Sequence, residues 1–156
     1  MCEGLEHDET GKPAYDGENH ERMNNKRFGK LRHCQENETG YYDIGTADPD
    51  IVIVGWGAIA GSVREAVDRL TDEGLNVGGC IITMPWPFPL GVRERLTRAH
   101  HVLVVEANYQ GQLAHIIQGE VAIPVQKLTM AVGGLIPVEA VMKRAKSILN
   151  VQEVHA

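Results

Sequence analysis

The stretch "IVIVGWGAIAG", residues 51–61, decides how the rest of the chain is read. Four aliphatic residues in a row are followed by Gly55, Gly57 and Gly61. An unbroken aliphatic run is what a strand buried on both faces requires. The residues after it have helical spacing. Val63, Ala66, Val67 and Leu70 form one stripe, Arg64, Glu65, Asp68 and Arg69 lie off it, and Gly74 is placed to end the helix. Strand, glycine turn and helix open a parallel α/β unit. The glycines could cradle a nucleotide, or only let a strand pass its chain closely to a helix.

Outward from that stretch the alternation continues. "NVGGCIITM", residues 76–84, reads as a second strand, and "PWPFPLG", residues 85–91, as a loop stiffened by three prolines. "VRERLTRA", 92–99, reads as a short helix and "HVLVVE", 101–106, as a third strand. "YQGQLAHIIQG", 109–119, is a helix presenting Leu113, Ile116 and Ile117. "PVQKLTMA", 124–131, is a shorter strand. "PVEAVMKRAKSIL", 137–149, is an amphipathic helix with Pro137 in its first turn. This order predicts an α/β domain of three layers, a mostly parallel sheet with helices on both faces.

The opening glycines can then be weighed. Gly55, Gly57 and Ala60 fit G-x-G-x-x-G/A between a strand and a helix. A dinucleotide site also wants an acid at the end of the second strand, and "CIITMP" has none. Asp72 and Glu73 come too early, at the end of the helix. Packing glycines are the preferred reading. A stand-alone Rossmann-like nucleotide or effector module remains the alternative.

Upstream the character changes. The net charge of −6 comes entirely from residues 1–50, since residues 51–156 balance. That distribution argues against a general nucleic-acid binder. The basic run "NNKRFGKLRH", 24–33, reads as solvated surface. Residues 1–49 lack a sustained apolar period and read as a polar arm or connector, with a short strand or two within "LRHCQENETGYYDI". The sheet domain is placed at 50–156. Cys2, Cys34 and Cys80 are odd in number and far apart, so neither a disulfide framework nor a cluster site is expected from this chain alone. No apolar run could span a membrane and no signal peptide opens the chain, which suits the cytoplasm.

Two loops at the ends of the strands attract attention. In "EANYQGQL", 106–113, Glu106 and Asn108 follow a buried strand and Gln112 opens the next helix. In "MPWPFP", 84–89, Trp86 and Phe88 ride on a stiff loop. Trp56 belongs to the same edge, where parallel sheets bind ligands or partners. Trp56, Trp86, Phe88, Glu106, Asn108 and Gln112 are therefore the candidate interface residues. The bland readings are that Asn108 caps the helix, Gln112 is solvated and the aromatic loop folds onto its own core. A lone Glu without a second group makes no acid–base pair. Glu6, His7, Asp8, Glu9 and His20 could ligate a metal by type, but their spacing matches no familiar site and they read as solvated. No catalytic, cofactor-binding or metal-binding residue is assigned.

Together, "GLEHDETGKP" at 4–13, "MNNKRFGKL" at 23–31, "DIVIVGWGAIAGSVREAV" at 50–67, "MPWPFP" and "VLVVEANYQGQL" at 102–113 resemble the carboxyl-terminal part of the α subunit of 2-oxoacid:ferredoxin oxidoreductases, particularly the 2-oxoglutarate type. The resemblance implies a transketolase carboxyl-terminal-like fold. It also implies a share in thiamine-dependent oxidative decarboxylation of a 2-oxoacid, with coenzyme A accepting the acyl group and electrons passing to ferredoxin. Thiamine diphosphate, Mg2+ and an iron–sulfur cluster are implied for the complete complex, and none is expected on this chain alone. The implied partners are the remaining α-subunit domains and the β subunit, with ferredoxin and coenzyme A reached through the complex. The arm at 1–49 becomes the remnant of a junction to a thiamine-pyrimidine domain missing from this chain. A third reading is the equivalent domain of a dehydrogenase or transketolase-type thiamine enzyme.

Overall fold

Strand β2, Ile51–Trp56, lies at the centre of the sheet, and Ile51 to Val54 are wholly buried. Its side chains alternate between two hydrophobic clusters. Ile51 and Ile53 join one, and Val52 and Val54 join the other. That two-sided demand is why the run is continuously aliphatic. The computed structural model describes residues 5–37 and 39–153, with side chains to residue 149. The chain divides into two compact units between residues 38 and 39.

The sheet unit contains β1 (Tyr41–Gly45), β2, a single 3-10 turn, α2 (Ala60–Asp72), β3 (Val77–Ile82), α3 (Leu90–Arg98), β4 (His101–Glu106), α4 (Gln112–Val121), β5 (Gln126–Thr129) and α5 (Val138–Glu153). The label α1 belongs to Gly17–Asn37 in the other unit. Strand order is β1-β3-β2-β4-β5. The pairs β2–β3, β2–β4 and β4–β5 are parallel. Only β1 runs antiparallel, from Tyr41 opposite Ile82 to Gly45 opposite Gly78. Val63, Ala66, Val67 and Leu70 of α2 pack on one face with Val141, Ala145 and Ile148 of α5. Val92 and Leu96 of α3 and Leu113, Ala114 and Ile117 of α4 cover the other. The expected three layers are present.

Several details differ from the sequence reading. Because β1 is an edge strand of the sheet, the compact sheet unit begins at Thr39 and not at residue 50. The helix expected from 109 begins at Gln112, after a turn that spans the preceding residues. At Gly55 the close approach is real: a Cβ there would meet Val63 Cγ2 at 2.9 Å and Ile59 Cγ2 at 3.3 Å.

The other unit is not an irregular arm. Its helix α1 is 21 residues long. Asp16 starts it by accepting the Asn19 backbone N–H at 2.7 Å, as an N-cap does. Ahead of it, Asp8 Oδ1 closes a turn by accepting from Thr10 N at 2.8 Å, Thr10 Oγ1 at 2.7 Å and Lys12 N at 3.0 Å. Glu6 reaches α1 and accepts from Arg27 Nη1 at 3.0 Å, with His20 Nδ1 at 3.1 Å. The Arg27 hydrogen bond holds the Glu6 carboxyl down at about 2. The helix lacks an apolar stripe, and this polar pinning replaces the period that a sequence reader looks for. No helix among the described residues is long and apolar enough to cross a membrane.

Candidate functional site

The chain leaves β2 through α2 to β3 on one side, and returns through α3 to β4 on the other. Connections therefore diverge between β2 and β4, which opens a crevice beyond their carboxyl ends. A groove of about 600 Å³ lies there, lined by Trp56, Ile59, Asn108, Gln112, Leu135 and intervening small residues. Its third wall is the loop between β5 and α5. Ser62, in the first turn of α2, holds that loop by donating its hydroxyl to the Ile136 carbonyl at 2.8 Å, a buried bond.

Glu106 ends β4 and is wholly buried. Its Oε2 accepts from Leu113 N at 2.7 Å and Asn108 Nδ2 at 2.8 Å, and its Oε1 accepts from Ala114 N at 3.0 Å. Leu113 and Ala114 lie in the first turn of α4, whose backbone N–H groups lack intrahelical partners. Gly111 precedes that turn and has no side chain to cap it, so Glu106 supplies the cap from the strand. The acid also sits at the positive end of the helix dipole. Asn108 completes the turn, accepting from Gly111 N at 2.6 Å through Oδ1. Both ends of the Asn108 amide are thereby used.

These positions correct two candidates. Glu106 cannot meet a partner, because its oxygens face only internal donors. Phe88 is 2% exposed and packs among Val52, Val54, Val92 and Leu96; the proline loop turns it inward. Trp86, two residues earlier on the same loop, stays 59% exposed, and Trp56 stays 41% exposed. Gln112 is exposed and Asn108 half-buried at the groove. Sequence reasoning missed Leu90, Tyr109, Val132 and Leu135, all exposed. Their signal was position, since each follows the carboxyl end of a strand.

Charge is distributed sharply between the two edges of the sheet. The segments 56–62, 83–92, 107–113 and 130–138, which follow the carboxyl ends of the parallel strands, contain no Asp, Glu, Lys, Arg or His. The segments that enter β2, β3 and β4 at the opposite edge carry Asp48, Asp50, Asp72, Glu73, Arg98 and His100.

A nucleotide site does not fit this edge. Gly55 is filled by its neighbours, and no acid follows β3. Nor do the residues fit a metal or cluster. Among the described residues no group of three or more His, Cys, Asp or Glu could hold a metal ion. Cys80 is buried in the core, and burial pushes its thiol up to about 12. Glu6, Asp8 and His20, metal candidates by type, are engaged in the turn and the pin on α1.

Known proteins agree with this architecture. The family model "pyruvate:ferredoxin oxidoreductase core domain II" matches residues 49–151. The 2-oxoglutarate synthase subunit KorA of Methanothermobacter marburgensis is 35% identical over 117 residues, covering 74% of this chain and 31% of the relative. The structure of 2-oxoglutarate:ferredoxin oxidoreductase from Magnetococcus marinus, with 2-oxoglutarate, coenzyme A and succinyl-CoA bound, superposes with a TM-score of 0.85 at 36% identity. It covers 94% of this chain and 26% of that one. Transketolase of Campylobacter jejuni shares the fold alone, with a TM-score of 0.52 at 14% identity over 70% of this chain and 19% of that one. The chain thus spans less than a third of the length of these relatives. Its sheet, its edge loops and the match over residues 49–151 place it together: the chain belongs to the pyruvate:ferredoxin oxidoreductase core domain II family.

Proposed function

We propose that this chain is the carboxyl-terminal assembly domain of the α subunit of a 2-oxoacid:ferredoxin oxidoreductase of the 2-oxoglutarate type. It supports thiamine-dependent oxidative decarboxylation to an acyl-CoA, with electrons passed to ferredoxin, in a cytoplasmic complex. The observation that carries this reading is the superposition on the Magnetococcus marinus enzyme over 94% of the chain at 36% identity. Thiamine diphosphate with Mg2+ and an iron–sulfur cluster would supply the chemistry from other parts of the complex. The carboxylate best placed at the groove, Glu106, is spent on α4. The chain's own contribution is a rigid surface against the remaining α-subunit domains and the β subunit, presented by Trp56, Trp86, Asn108 and Gln112. Residues 1–38 serve as the junction towards the thiamine-pyrimidine domain.

Calorimetry on the purified chain tests this against a nucleotide module. Titrations with NAD(P), FAD, AMP, coenzyme A and thiamine diphosphate with Mg2+ are expected to show no micromolar binding. Micromolar binding of a dinucleotide by the chain alone would overturn the reading.

A further inference from the structure

The loops at the carboxyl edge combine three properties that ordinary surface loops do not share. They are free of charge, although 23% of the whole chain is charged. They expose large apolar side chains: Tyr109 at 89%, Leu135 and Val132 at 61% and Leu90 at 50%, beside Trp56 and Trp86. The segment 83–92 is also stiff, with Pro85, Pro87 and Pro89 restricting its backbone. A monomer surface seldom gathers apolar groups in this way. Depletion of charge with enrichment of aromatics marks the buried centre of a protein interface. Stiff loops also lose little freedom when covered.

Resting on the assembly reading above, we propose that this whole edge is a permanently covered docking face, and that its occupant is an uncharged, apolar segment of the polypeptide carrying the thiamine site. The absence of charge defines the partner. A Lys or Glu set into the groove would be desolvated against a lining that carries no charged side chain, which costs several kcal/mol. The occupant therefore presents aliphatic or aromatic anchors. Its backbone polar groups meet neutral partners, chiefly the exposed Gln112 amide, because the Asn108 amide is already used. The opposite edge, with its aspartates, Arg98 and His100, is built for water. Relatives more than twice the length of this chain supply enough further protein to cover the face.

Trp56 and Trp86 are the only tryptophans of the chain, so both report on this face. The chain labelled with 5-fluorotryptophan is mixed with the unlabelled remaining α-subunit domains and β subunit, each produced separately, and followed by fluorine NMR and size-exclusion chromatography. Assembly is expected to shift both resonances and to shield them from a soluble paramagnetic quencher. The affinity should weaken less than about threefold between 0.1 and 1 M NaCl, since no ion pairs are screened. L135K is expected to weaken assembly more than about tenfold. Q118K, an added charge on the exposed side of α4, should change it less than about twofold. Trp86→Gln, which adds no charge, is the second variant and should weaken assembly more than about threefold; circular dichroism checks that each variant is folded. A complex that forms without shifting either resonance, or that tolerates both L135K and Trp86→Gln, overturns the docking face but leaves the proposed function standing. Failure of the unmodified chain to form any complex overturns both.

Discussion

Glu106→Gln isolates what the buried carboxylate does. The native side chain accepts three hydrogen bonds at 2.7–3.0 Å with no exposure to water. In the best orientation the Gln oxygen replaces Oε2 and keeps Leu113 N and Asn108 Nδ2 as neutral bonds. Its NH2 group then faces the Ala114 N–H, a donor against a donor. One bond is lost outright and two are weakened. Bonds to a charged group contribute about 1.5–3 kcal/mol and neutral ones about 1 kcal/mol. With the lost helix-dipole term, the substitution should cost about 2–4 kcal/mol. For a domain of this size that corresponds to a fall in Tm of about 8–16 °C. Differential scanning calorimetry reads the change, and hydrogen exchange at Leu113 and Ala114 locates it. A fall in Tm below about 2 °C would refute the capping account. So would a hundredfold loss of turnover in an assembled enzyme whose stability is unchanged, since that is the signature of an acid–base residue.

Three further outcomes follow from the same geometry. Gly55→Ala should destabilise the chain by about 1–3 kcal/mol in urea unfolding, because the new methyl meets Val63 and Ile59; Gly57→Ala, with φ 56° and nothing within 4 Å, should cost only about 1 kcal/mol, and equal costs would contradict the packing reading. Cys80, with its thiol pushed up to about 12, should resist iodoacetamide at pH 8 until the chain is unfolded; alkylation in the native state, seen by peptide mapping, would be the contrary result. The Glu6 carboxyl, held at about 2 by Arg27 against an ordinary 4.5, stabilises the fold above the unfolded value, and that stabilisation is lost as pH falls towards 2. Carbon NMR of the Glu6 carboxyl should show the depressed midpoint and Arg27→Met should raise it, whereas an ordinary midpoint in the native chain would remove the pin.

The sheet core was legible because it obeys simple periods. A strand buried on two faces had to be continuously aliphatic, and β2 and β4 are; α2 and α5 bury one stripe each, and their spacing showed it. Helix α1 was hidden because Glu6 and Asp16 fix it by polar bonds that leave no period. Its visible trace was the N-cap Asp16 with Glu18 in the first turn. The edge strand β1 was only half visible, since Tyr41 to Gly45 need satisfy one neighbour, β3. At the site, the location was readable and the orientation was not. Alternation along "MPWPFP" cannot say that Phe88 enters the core while Trp86 leaves it. Nor can it say that Glu106 turns back on α4, because that depends on a helix start six residues later.

The proposed role, assembly of a 2-oxoacid:ferredoxin oxidoreductase by a chain that turns nothing over alone, has one most direct test. The measurement is 2-oxoglutarate- and coenzyme A-dependent reduction of methyl viologen under anaerobic conditions. It is made for the chain by itself, for the remaining α-subunit domains and the β subunit produced without it, and for all of them together. The account predicts turnover only in the complete mixture. Turnover by the chain alone, or undiminished turnover when it is left out, would contradict it.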